Sequence, residues 1–220
     1  MIIASPKRFY FRALLKSDRA FIYQLLCLLI ITMPEVFVFA GCNGSGKSTL
    51  ANRILNSTRE PPEFVNADII ATQLNPEDVD AVAISASRIM LKRIDTLSEQ
   101  GLDFAFETTL AARTFARFLR NCKDKGYRVN LIYVWLNSPN LAVLRVAKRV
   151  ASGGHNIPQD IIRRRYQRSL YNLTELYLPL ADRFQIYDNS KSQNSLVAYR
   201  LDSSSPITVI EQDIWNLVVN

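Results

Sequence analysis

Residues 41–49 read GCNGSGKST, directly after the apolar run VFVFA at 36–40. The first eight fit G-x-x-x-x-G-K-[ST], a loop whose backbone N–H groups cradle the phosphates of a nucleoside triphosphate. Gly41, Gly44 and Gly46 allow a close backbone approach that a Cβ would forbid. Cys42, Asn43, Ser45 and Thr49 complete the nucleotide-binding stretch. A strand before the loop and a helix after it aim the exposed N–H groups at the β-phosphate. Lys47 then bridges β- and γ-phosphate oxygens, and Ser48 places its hydroxyl on Mg²⁺. The loop leaves the fate of the phosphate open: water, a protein, a nucleic acid or a small molecule can receive it.

From Pro34 onward, strand and helix patterns alternate. That predicts an α/β fold of the P-loop NTPase type, a doubly wound, mostly parallel five-stranded sheet with helices on both faces. The strands are expected at 35–40, 63–68, 102–107, 128–136 and 183–190, and the helices at 47–57, from Pro76 to Gly101, and at 111–125, 139–151 and 158–177. The tail at 195–218 offers a further strand or hairpin and a short last helix.

In such a sheet the carboxyl ends of the strands line the ligand crevice. Asp68 ends the second expected strand and Glu107 the third, so both are expected beside the loop. A carboxylate there takes the proton of an acceptor hydroxyl, orients it, or holds Mg²⁺. The structural alternative is a helix cap, at Asp68 in NADII or through Thr108 and Thr109 after Glu107. Segment 145–168 carries Arg145, Lys148, Arg149, Arg163, Arg164, Arg165 and Arg168 against the single acid Asp160. Two arginine-bearing helices joined by SGGHNIP suit a phosphate-closing lid at about 139–177, with two or three of the arginines left to face water. His155 has no metal-ligand company and fits a contact to substrate or backbone within that lid. Tyr187-Asp188-Asn189-Ser190 fits either an adenine site or a turn.

The chain has 220 residues, 48% hydrophobic and 21% charged, and a formal charge of +7. That charge sits in the arginine segment and in residues 1–20, leaving the remainder slightly acidic, which disfavours a nucleic-acid coat. Cys27, Cys42 and Cys122 lie far apart without a CxxC, as expected of free thiols in a cytoplasmic protein. Residues 1–32 form an uncertain extension ahead of a domain at 33–220. A basic stretch followed by AFIYQLLCLLIITM mimics a secretory leader, but no small-residue cleavage site follows. The apolar run is also short of the roughly 20 residues a membrane span needs. Three readings stay open: sequence upstream of the true start, a membrane-surface anchor, or an added packing helix.

FAGCNGSGKST, NAD at 66–68, FETTL at 106–110, RVAKRVASGGHNIPQDIIRRRYQRSLYNL at 145–173 and YDNS at 187–190 together resemble the zeta toxin family of P-loop kinases. The resemblance spans about 34–190, and GGHNIP with IRRRY is its most specific part. It implies transfer of phosphate from ATP or GTP, with Mg²⁺, to the amino-sugar hydroxyl of UDP-N-acetylglucosamine, and an antitoxin protein as partner. It makes Lys47 and Ser48 nucleotide and Mg²⁺ ligands and Asp68 the base. Glu107 with Thr108 or Thr109 would contact the sugar nucleotide or metal, and Arg149 with one of Arg163, Arg164 and Arg165 would clamp the phosphate. A polynucleotide or other metabolite kinase, and a non-catalytic ATP-binding module, are the alternatives.

Overall fold

β1 (Glu35–Ala40) forms from the uninterrupted apolar run and lies inside the sheet, with Val36, Val38, Phe39 and Ala40 wholly shielded. Strands covered on both faces have continuous rather than alternating apolar sequence, as parallel sheets require. The computed structural model describes residues 33–154 and 156–219. The expectations for residues 1–32 and for His155 fall outside those described residues.

β1 pairs in parallel with β3 (Phe104–Thr108) on one side and β4 (Arg128–Trp135) on the other, Val36 lying opposite both Phe104 and Val129. β2 (Glu63–Val65) pairs with β3, and β5 (Arg183–Asp188) with β4, both in parallel. The five parallel strands match expectation, but the sheet has seven. β6 (Ser195–Arg200) and β7 (Thr208–Val209) add antiparallel beyond β5, giving the order β2-β3-β1-β4-β5-β6-β7. The strands expected in the tail are therefore present as an antiparallel pair that extends the same sheet.

Helices cover both faces. α1 (Lys47–Asn56) lays Leu50, Ala51 and Leu55 on Phe39, Ala105, Ile132 and Val134. On the opposite face, Met90, Ile94 and Leu97 of α3 (Val79–Glu99) and Ala116 and Leu119 of α4 (Thr114–Asp124) pack on Phe104 and Phe106. Burying each such large side chain contributes roughly 1.5–3 kcal/mol.

Three boundaries differ from the sequence reading by three residues, each because a side chain captures the backbone first. The second strand stops at Val65, because Asn66 Oδ1 accepts the N–H groups of Asp68 and Ile69 and starts α2 (Ala67–Leu74), a helix the sequence reading lacked. The long α3 begins at Val79 rather than Pro76, since Asn75 Oδ1 accepts from the N–H groups of Glu77 and Asp78, and Asp78 then caps Ala81. α4 begins at Thr114 rather than 111, after a loop in which Leu110 takes a left-handed φ of 56°.

α5 (Pro139–Ala151) starts at Ser138, whose hydroxyl accepts from Leu141 N–H, and runs to its expected end. α6 (Gln159–Asn172) continues as a π-helical turn, Leu173–Tyr177, and a last turn, α7 (Leu178–Leu180). α8 (Gln212–Val219) ends the fold. Ala142, Val143 and Val146 of α5 and Ile162 and Tyr166 of α6 pack on Cys42 and Leu136, so the arginine-bearing pair is rooted directly on the phosphate loop. Among the described residues no helix is long and apolar enough to cross a membrane.

Candidate active site

The chain leaves β1 at Ala40 and turns through residues 41–46 into α1, which puts the loop at the carboxyl edge of the sheet. Gly46 sits at φ 90°, and a Cβ there would come within 2.6 Å of Asn189 Nδ2. That amide donates to Ser45 O at 2.7 Å, so the segment after β5 holds the loop from outside. Asp188 Oδ1 accepts from Ser190 N–H at 2.8 Å, and Ser190 Oγ accepts from Asn137 N–H at 2.8 Å. Asn189 and Ser190, just past the end of β5, thus brace the loop.

A cleft of about 790 Å³ opens above the loop. Asn43, Gly44, Gly46, Lys47, Ser48 and Thr49 form its floor. Gly41, Cys42 and Ser45 do not line it. Cys42 is buried under α5, and burial pushes its thiol up to about 11 against the pull of Lys47. The side chain is therefore a neutral filler at working pH.

Glu107, at the end of β3, ties the floor together. Its Oε2 accepts from Ser48 Oγ at 2.7 Å and from Asn66 Nδ2 at 2.9 Å, and its Oε1 lies 3.6 Å from Lys47 Nζ. Lys47 Nζ also donates to Cys42 O at 3.0 Å. Asn66 is a site residue that the sequence reading passed over, though it opens the same NAD triplet. It caps α2 with its oxygen and holds Glu107 with its nitrogen.

Asp68 lines the cleft, but from the first turn of α2 rather than from a strand end. Neither is it the helix cap; that is Asn66. Its carboxylate stands close enough to the Arg165 guanidinium to act on it electrostatically. Burial lowers the Arg165 pKa, Asp68 opposes that shift, and Arg164 adds to it. Arg165 Nη1 also reaches Asn43 Oδ1 of the loop at 3.4 Å.

Arg145 and Arg149 of α5, and Arg164, Arg165 and Arg168 of α6, all line the same cleft. Arg163 does not; it points away and donates to Asn140 Oδ1 at 2.7 Å. Of the two glycines between the helices, Gly153 takes a left-handed φ of 86° with open space around it, and Gly154 serves packing. A Cβ on Gly154 would come within 2.6 Å of Arg149 Cγ, so the stem of Arg149 lies against a residue that must be small. Thr108, Thr109, Ala111, Ala112 and Phe115 make the far wall. Thr108 and Thr109 do not cap α4. Their hydroxyls accept from Leu110 N–H and Ala111 N–H within their own loop.

The arrangement supplies a phosphate cradle, an ammonium, a hydroxyl beside a carboxylate, a second carboxylate in the cleft and a row of guanidinium groups. These are the parts that phosphoryl transfer needs. Comparison with known proteins agrees. A family model described as Zeta toxin matches residues 31–201. An uncharacterized protein of Haemophilus influenzae is 30% identical over 138 residues, 63% of this chain and 96% of that protein. A chain from the PezAT chromosomal toxin-antitoxin system of Streptococcus pneumoniae superposes with a TM-score of 0.59 at 18% identity, covering 92% of this chain and 95% of that one. A chain of the AvrRxo1-ORF1:-ORF2 complex crystallised with ATP superposes with a TM-score of 0.68 at 14% identity, covering 86% of this chain. This chain spans 64% of the length of that neighbour. The two structural likenesses speak for the fold.

Proposed function

The chain belongs to the zeta toxin family and is a P-loop kinase, and from that premise we propose that it moves the γ-phosphate of ATP or GTP to a hydroxyl of a sugar nucleotide such as UDP-N-acetylglucosamine. The observation that carries the proposal is the presence of Asp68 and Arg165, electrostatically coupled, in the cleft that Lys47 and Ser48 floor. A base, a cation and a phosphate cradle then meet one substrate.

Asp68 takes the proton of the acceptor hydroxyl as its oxygen attacks the γ-phosphorus. A new oxygen–phosphorus bond forms while the bond from the γ-phosphorus to the β-phosphate oxygen breaks, leaving the nucleoside diphosphate. Lys47, Arg149, Arg164 and Arg165 offset the charge on the phosphoryl oxygens without having to reorganise. Arg145 and Arg168 line the same space, whereas Arg163 is better assigned to holding Asn140.

The donor set at Ser48 and Glu107 suits magnesium: two hard oxygens 2.7 Å apart at the mouth of the loop. Mg²⁺ retains most of its waters and takes few protein ligands when phosphates supply the rest. Held there by Ser48 and Glu107, it would supply positive charge against the phosphates. Glu107 thus belongs to the metal end of the site. Thr108 and Thr109 on the far wall are the acceptor contacts, and an antitoxin is the protein partner. The PezAT name supports the partner for its own chain and, by family, for this one.

Incubation with ATP, Mg²⁺ and UDP-N-acetylglucosamine should consume the sugar nucleotide and give a product heavier by one phosphate. An unchanged sugar nucleotide under conditions where ATP binds would contradict the acceptor assignment.

A further inference from the structure

The helix carrying Arg164, Arg165 and Arg168 has a second, buried face with no task in phosphoryl transfer itself. Ile162, Tyr166, Ser169 and Asn172 recur along it at helical spacing, all buried. Three of the four are polar, an uncommon choice for a buried stripe, and each has a partner at the carboxyl end of the sheet. Tyr166 Oη donates to Leu136 O at 2.6 Å, and Ser169 Oγ lies 2.9 Å from Tyr133 Oη. Asn172 Nδ2 donates to Leu110 O at 2.7 Å. Tyr177, closing the π turn, donates from its Oη to Ala112 O at 2.6 Å.

The last two bonds converge on the far wall of the cleft. In an α-helix, residues five apart point about 140° away from each other. The i→i+5 bonding of a π turn brings them back over one another. The π turn at 173–177 therefore lets Asn172 and Tyr177 reach the same loop. Within that loop Leu110 holds φ 56°, a left-handed conformation costly for a bulky residue. Such a conformation persists where its surroundings over-determine it. Here they do: the Leu110 side chain is fully buried and its carbonyl is held by Asn172. The consequence lies on either side of it, where Thr109, Ala111 and Ala112 are turned to the cleft.

We propose that Asn172, seconded by Tyr177, is a positioning residue that fixes the acceptor wall through the backbone of residues 110–112. It acts from the helix whose other face carries the phosphate-facing arginines, so the acceptor wall and those arginines are set as one assembly. This rests on reading Thr109 and its neighbours as the acceptor side.

The test uses Asn172→Ala and Tyr177→Phe in the full chain; the second removes one oxygen and keeps the ring packed. With ATP and UDP-N-acetylglucosamine, Asn172→Ala should raise the acceptor KM about tenfold and Tyr177→Phe less, with the KM for ATP within about twofold. Both KM values rising together, or neither changing, overturns the proposal. If the parent chain does not turn over UDP-N-acetylglucosamine, the acceptor assignment has failed, and hydrogen exchange decides the role of Asn172 by itself. The amides of residues 110–112 should then exchange about tenfold faster in Asn172→Ala, with residues 41–49 unchanged. Parental exchange at 110–112 overturns it.

Discussion

Glu107 shows how one side chain sets the state of several others. Ser48, Asn66 and Lys47 all converge on its two oxygens, so it fixes the hydroxyl and ammonium proposed to meet the phosphates. The arginines divide just as sharply by what each touches. Arg165 is partly buried, feels Asp68 and reaches the phosphate loop, whereas Arg163 is exposed and bonded to Asn140. Arg165→Ala is therefore expected to lower kcat/KM by about 10²- to 10³-fold, as loss of a transition-state donor does. Arg163→Ala should stay within about threefold, and steady-state kinetics on the two variants checks the difference. Sequence could locate the cluster, because its acids are missing, but could not rank its members. Which face an arginine takes depends on the 162, 166, 169 and 172 stripe packing inward, and Ser169 and Asn172 do not look like core residues until their buried partners are known.

At the scale of elements, the strand–loop–helix unit was legible because local pattern and tertiary need agree: an apolar run, three glycines and a helix-forming segment in that order. The misreadings fall where a polar side chain captures backbone N–H groups over a few residues. Asn66 does this at the head of α2, Asn75 and Asp78 at the head of α3, and the threonines of the 108–111 loop before α4. Side-chain capture of this kind competes with a strand or an earlier helix start, and propensity alone does not show which wins. Asn66 therefore has two jobs that one substitution can separate from the phosphate loop. Asn66→Ala should cost about 1 kcal/mol of stability as a lost cap, read from the denaturant midpoint. It should also lower kcat roughly tenfold or more through the released Glu107, as loss of an outer-shell partner does. A stability loss without a kinetic one would leave Asn66 as a cap and nothing further.

At the scale of the whole molecule, the sheet is a platform whose carboxyl edge collects every proposed group. The core beneath it is aromatic near β3. Phe106 is wholly buried, with its ring stacked 5.1 Å from Phe115 of the cleft wall and edge-on to Phe118 at 6.2 Å. Phe106→Ala is expected to cost about 3–5 kcal/mol, the usual loss for emptying an aromatic core site. Urea unfolding measures it, and a loss under about 1 kcal/mol would mean that the core closes around the gap. Of the two added antiparallel strands, β6 buries Val197 and Ala198 in that same core and β7 packs Val209 against it. They widen the platform at the edge away from β2 without entering the cleft. On the proposed reading, the platform holds a carboxylate at Asp68 that takes the acceptor proton while the loop holds the nucleotide. The most direct test is phosphoryl transfer by Asp68→Asn, with nucleotide affinity measured on the same preparation. ATP should bind within about threefold of the parent, while transfer falls by about 10²- to 10⁴-fold, the range that loss of a general base produces. An Asp68→Asn chain that transfers phosphate at the parental rate would rule out Asp68 as the base.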